Sequence, residues 1–180
     1  MRTTNMRCKQ WWATGALVLA AAGCFAQPQR RPPEPAEWVE ESAPAAPVFS
    51  KEQLIPIDMP HHVSVKVGID PNTLAVGGDG VVRYVVVMTN ATGTVNAAYE
   101  GIRCATDEVK TYARYSASGE WKPVAEPKWQ SITDNLPSKH AFTLARQGAC
   151  ENRLSSSKDE VIRALKQKSK PAPGLTHPTM

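Results

Sequence analysis

Val81-Val82-Arg83-Tyr84-Val85-Val86-Val87-Met88-Thr89, followed at once by Asn90-Ala91-Thr92-Gly93, is the stretch that decides the fold. A run this rich in β-branched residues and this poor in polar ones reads as a central strand. The Asn-Ala-Thr-Gly that follows turns the chain. Alternation resumes at Val95, Ala97 and Tyr99, so a second strand returns beside the first. Past Gly101 the apolar positions change phase to Ile102 and Cys104, as one extra residue in a bulge would cause. Upstream, Val63, Val65, Val67 and Ile69 alternate with Ser64, Lys66 and Gly68, the period of a strand with one apolar face. Asp70-Pro71-Asn72 and Gly77-Gly78-Asp79-Gly80 are turns. Downstream, a strand is predicted from Val109 to Tyr115, a hairpin turn at Ser116-Ala117-Ser118-Gly119, and a further strand from Trp121 to Val124.

Helix signals come late. Pro137 and Ser138 can open a helix in which Ala141, Leu144 and Ala145 share a face, ending at Gly148. Ser157-Lys158-Asp159-Glu160 has the spacing of a capping box, and Val161, Ile162 and Leu165 follow as a narrow apolar stripe. Five or six short strands followed by two short helices read as α+β, a single compact domain on an antiparallel sheet spanning residues 61–168.

The flanks read differently. Arg2, Arg7 and Lys9 precede an apolar run from Trp11 to Ala22 and then small residues, the three regions of an export signal over residues 1–26. The run is too short for a retained membrane span, and no later segment is longer. Two processing routes are readable. Ala21-Ala22-Gly23-Cys24 is a lipobox in which Cys24 would be lipidated, anchoring the chain at the outer membrane; cleavage after Ala26 would instead release it into the periplasm. Residues 27–60 carry eight prolines among Gln, Arg, Glu and Ala and read as a disordered tether, with Trp38 and Val39 as an apolar pair that docks on the domain or binds a partner. Residues 169–180 read as a flexible tail.

Cysteines and charge add constraints. Cys8 leaves with the signal and either route removes Cys24, so Cys104 and Cys150 are expected to form a disulfide in an oxidising compartment. The formal net charge of +4 falls to near neutrality without the signal's three basic residues. A phosphate-tracking surface is therefore not expected, and nucleic acid is excluded as a partner.

The stretch from Gly78 to Tyr84, continued by Tyr99-Glu100-Gly101-Ile102-Arg103-Cys104, resembles the cryptic-neisserial-protein-like family of exported bacterial proteins. Glu37-Trp38-Val39-Glu40, Tyr112-Ala113, Gly119-Glu120-Trp121, Trp129, Asn135 with His140, Cys150 and Glu160-Val161-Ile162 match in the same order. The resemblance implies an envelope location and the Cys104 to Cys150 bridge. It carries over no activity.

Candidate chemistry centres on the two long strands. With Ala91 and Thr92 as the turn residues, Arg83 falls opposite Glu100 and Tyr84 opposite Tyr99, an exposed ion pair at a sheet edge. Arg83, Tyr84, Tyr99, Glu100 and Arg103 are the candidate ligand-binding residues, with an arginine gripping a carboxylate or phosphate. Gly77 to Gly80 lacks the Lys-Ser/Thr of a phosphate loop. His61 and His62 point to opposite faces of a strand, so no metal site is expected. Trp121 and Trp129 could floor a carbohydrate site, and read more simply as packing. No catalytic residue and no cofactor is assigned. The leading expectation is a non-enzymatic envelope module that binds an envelope protein or a cell-wall component. A hydrolase of an envelope polymer using Glu100 with Asp79 is the alternative. A third reading is an assembly factor whose Lys158, Arg163, Lys166, Lys168 and Lys170 lie on anionic lipid or polymer.

Overall fold

The computed structural model describes residues 37–169 apart from Ala117. The export signal with Cys24, the first part of the tether and the tail beyond Ser169 lie outside the described residues. Eight strands form one antiparallel sheet: β1 (Ile55–Pro56), β2 (Lys66–Ile69), β3 (Ala75–Val76), β4 (Val81–Thr89), β5 (Val95–Arg103), β6 (Glu108–Tyr115), β7 (Trp121–Pro123) and β8 (Gln130–Ser131). Their spatial order is β1-β2-β4-β5-β6-β7, with β3 added to β4 and β8 to β6. The fold is α+β, as the pattern predicts. The additional strands are pairs of residues, too short to carry an alternation signal.

Both faces of β4 are dry. Val82, Tyr84 and Val86 enter one core with Ile69, Ile102 and Leu165, while Val85 and Val87 enter a second with Ala97, Tyr99 and Ala113. Burial on both sides accounts for the unbroken apolar run, which one-sided strands do not show. It also accounts for the phase change past Gly101. β5 keeps continuous register with β4 from Thr89↔Val95 to Val81↔Arg103, so β5 has no bulge and its two residue parities face different cores. The irregularity lies in the facing strand, where Tyr112 is the extra residue between Thr111 and Ala113 of β6.

The turn after β4 sets what faces what. Asn90 N–H donates to the Thr94 carbonyl at 3.1 Å, leaving a three-residue loop closed by Gly93 at φ 83°. Such loops place glycine in the left-handed region. A two-residue loop would have set Arg83 against Glu100; the added residue sets Tyr84 against Glu100 and Arg83 against Gly101. Because side chains alternate, that one-residue slip puts Arg83 and Glu100 on opposite faces of the sheet. Both are also buried, where the sequence suggested an exposed pair.

The segment read as a disordered tether is, from Glu37 onward, a strap across the second face. Phe49 packs edge-on against Tyr115 and Trp121, with ring centroids 5.0 and 5.7 Å apart. Trp121 Nε1 donates to the Pro47 carbonyl at 3.1 Å. Ile55 pairs with Ile69, and Ile57 is buried. The ordered domain therefore begins well before His61. Proline content favours an extended backbone, and extended chain suffices to cover Val85, Val87 and Ala97, whose exposure to water would be costly.

Two helices cover the first face. α1 (His140–Leu144) runs into a π turn over Ala145–Ala149, and α2 (Lys158–Lys168) follows. At the start of α2 the Glu160 carboxylate accepts from Ser157 N–H at 3.0 Å, and Val161 and Leu165 point inward. Gly148 has φ 147°, and a Cβ there would lie 2.7 Å from Ala164 Cβ; glycine lets the helical segments touch. Buried Gln147 receives the Asp58 N–H on Oε1 and donates from Nε2 to the Pro56 carbonyl, fastening the π turn to the strand edge. Cys104 and Cys150 form the expected disulfide, with Cα atoms 5.4 Å apart.

Candidate ligand-binding cavity

The register sorts the sequence-derived residues into two groups. Arg83, Tyr99 and Arg103 belong to the strap face, Tyr84 and Glu100 to the helix face.

On the strap face the arginines are committed internally. Arg83 binds Asp79 through two nitrogens, at 3.2 and 2.7 Å, and donates to the Glu41 carbonyl at 3.0 Å. Asp79 also accepts from the Val81 and Glu41 amides. Burial pushes its carboxyl up, but Arg83 and those amides hold it on balance below the usual carboxylate range. The Arg103 guanidinium stacks 3.7 Å from the centre of the Trp38 ring, whose Nε1 donates to the Asp79 carbonyl. Glu40 collects Lys110, Tyr112 and Trp129 at 2.6 to 3.1 Å. Trp38 thus docks, while Val39 stays exposed. This network fastens the strap. It also removes Asp79 as a partner for Glu100, because the two carboxylates are engaged on different sides of the sheet.

On the helix face Glu100 is the centre of a buried polar group. Its carboxylate accepts from Tyr84 Oη at 3.1 Å and Thr111 Oγ1 at 3.2 Å, and lies 2.7 Å from His140 Nε2. His140 Nδ1 lies 3.0 Å from Ser138 Oγ. β4, β5 and β6 each supply one member, and α1 supplies the histidine at its first residue. Burial alone would raise Glu100; the His140 charge and the hydrogen bonds hold it on balance below its ordinary value of 4.5. Burial alone would lower His140, yet Glu100 raises it on balance above 6.5. The pair is an ion pair at mildly acid pH, with imidazolium donating to both neighbours. Ser138, His140 and Glu100 form a hydrogen-bonded chain in which the Glu100 carboxylate favours the protonated ring.

This polar group floors a cavity of about 550 Å³, within the size range of small-molecule sites. Its walls are apolar, with Met59, Val63, Val65, Met88, Val109 and Leu136 among them. Thr111, Ser138 and His140 are polar members of its lining, and Arg114 and Lys139 are cationic ones, with Lys139 Nζ donating to the Asp134 carbonyl. Sequence reading singled out Glu100 and Tyr84 of this set and missed Thr111, Arg114 and Ser138 as site residues. A turn one residue longer would have placed Tyr84 and Glu100 together; nothing in spacing connects residues 138–140 to β5. The basic residues of α2 occupy its outer side, as Lys158, Arg163, Lys166 and Lys168 are exposed while Val161 and Leu165 are buried.

The CNP1-like family model matches residues 33–166, which takes in the strap, the sheet, α1 and all but the last two residues of α2. No curated protein and no solved structure matches the chain. The matched span includes every element that builds the cavity, and the chain belongs to the CNP1-like family.

Proposed function

We propose that this chain is an exported, non-enzymatic binding module of the cell envelope, and that its ligand occupies the cavity floored by Glu100 and His140. The observation that carries the reading is a largely apolar cavity whose lining includes a few convergent polar groups, the usual make-up of a small-molecule site. The carboxylate at its floor is saturated with donors and held ionised, which suits a fixed electrostatic feature rather than a general acid. The test is binding of the uncharged fluorophore N-phenyl-1-naphthylamine. Saturable fluorescence enhancement is expected, and Val63→Trp, which fills the chamber from a loop, should weaken it at least tenfold. Val48→Trp, on an exposed strap residue, should leave it unchanged. Equal binding by all three proteins would refute the cavity as the site.

Export rests on the charged, apolar and small-residue regions of residues 1–26. If Cys24 carries lipid, globomycin should make the precursor accumulate and Cys24→Ser should move the protein from the membrane to the soluble periplasmic fraction. Normal processing in both tests would make the protein a soluble periplasmic one.

A further inference from the structure

We infer that the cavity takes a single-chain amphipath with a carboxylate head, its alkyl chain inside and its head at Arg114; this rests on the cavity being the binding site. The inference starts from charge at the cavity. Glu100 is the one carboxylate lining it among the described residues, and it is already matched by His140. Arg114 remains as surplus positive charge, whereas Lys139 Nζ donates to the Asp134 carbonyl. Arg114 is exposed and has no ion-pair partner among the described residues.

A second observation comes from the sheet. Arg114 of β6 is directly opposite Lys122 of β7, and Lys122 likewise has no ion-pair partner among the described residues. Like charges in facing positions destabilise a strand pair unless an anion lies between or beside them. Across the other edge of β6, Arg114 faces Ala98, two residues from Glu100 on the same side of β5. The cationic pair therefore adjoins the chamber whose walls are Val63, Val65, Met88 and Val109.

An uncharged apolar ligand would leave this cationic rim unmatched, and a cationic amphipath would be repelled by it. A fully polar anion would leave the apolar walls uncovered. A carboxylate on an alkyl chain satisfies both, with the planar guanidinium offering two parallel N–H donors to the two carboxylate oxygens. An organic phosphate head shares the charge and is separated from the carboxylate in the test.

The test uses displacement of N-phenyl-1-naphthylamine by four probes of equal chain length: dodecanoate, dodecyl phosphate, dodecanol and dodecyltrimethylammonium. Dodecanoate is expected to bind at least tenfold more tightly than dodecanol, and dodecyltrimethylammonium most weakly. Arg114→Ala should cost dodecanoate about tenfold and leave dodecanol unchanged, Arg114→Lys should restore part of the loss, and added salt should weaken dodecanoate selectively. Arg114 is an exposed side chain, so these variants keep the fold, which circular dichroism verifies. Dodecyl phosphate binding more tightly than dodecanoate would overturn the carboxylate assignment. Equal binding of dodecanoate and dodecanol, unmoved by Arg114→Ala, would overturn the head-group site while leaving the cavity reading intact. Failure of N-phenyl-1-naphthylamine to bind would overturn both.

Discussion

Cys104→Ala combined with Cys150→Ala is expected to lower the free energy of unfolding by about 4 kcal/mol. The bridge joins residues 46 apart in sequence, and the loop it closes contains β6, β7, β8 and α1. Without it, the unfolded chain regains the freedom that the cross-link removes, and the chain-entropy relation gives the figure above. Packing adds a smaller loss, because Cys104 is buried among the helix-face residues and alanine leaves part of its volume empty. Native domains are held by only about 5 to 15 kcal/mol, so the variant should remain folded in buffer but melt roughly 10 to 20 °C lower. Urea titration of native and variant protein without reductant measures the difference directly. A change under about 1 kcal/mol would mean that the bridge constrains little that the sheet and helices do not already hold.

The pairing of these cysteines was legible because it follows from counting and from the compartment expected from residues 1–26, neither of which depends on tertiary detail. The same holds for β4 and the hairpin to β5, whose apolar run and turn residues are local signals. What could not be read was anything that depended on a single residue of register. Gly93 lengthens the turn by one, and that alone moves Arg83 from facing Glu100 to the opposite side of the sheet. The strap is illegible for a different reason. Pro28 through Pro60 have the composition of a linker, yet Trp38, Phe49, Leu54 and Ile57 are spaced along extended chain and find their partners only on a sheet assembled later in the sequence. Composition reports what a segment can do alone, whereas this one is ordered by the bare face of β4 and β5. The cavity was the least legible feature. His140 reaches Glu100 across 40 residues, through α1 packing on the sheet, and no periodicity encodes that contact.

His140→Ala should cost about 3 kcal/mol, because it leaves the buried Glu100 carboxylate with Tyr84 and Thr111 but without its counter-charge. The low end of the range for a broken buried pair applies, since the hydrogen bonds from Tyr84 and Thr111 to the carboxylate remain. Glu100→Gln should be milder, as the amide keeps hydrogen bonds and removes the charge that needed a partner. The same pair fixes a pH signature. His140 is raised above 6.5 in the folded protein, so its contribution is complete below 6.5 and is lost as pH rises through the folded value. Glu100 is lowered from 4.5, so its contribution is complete above 4.5 and is lost as pH falls through its folded value. Between 4.5 and 6.5 both are present in full. Arg114 opposes the His140 charge from β6 but is exposed and screened, so it trims the alkaline limit without removing it. Urea titrations at about pH 5.5 and about pH 8.5 separate the states. Native protein should be more stable at the lower pH, and both His140→Ala and Glu100→Gln should lose that difference. Equal stability of the native protein at the two values would show that neutral His140, still able to donate Nε2–H, serves Glu100 as well as the imidazolium does.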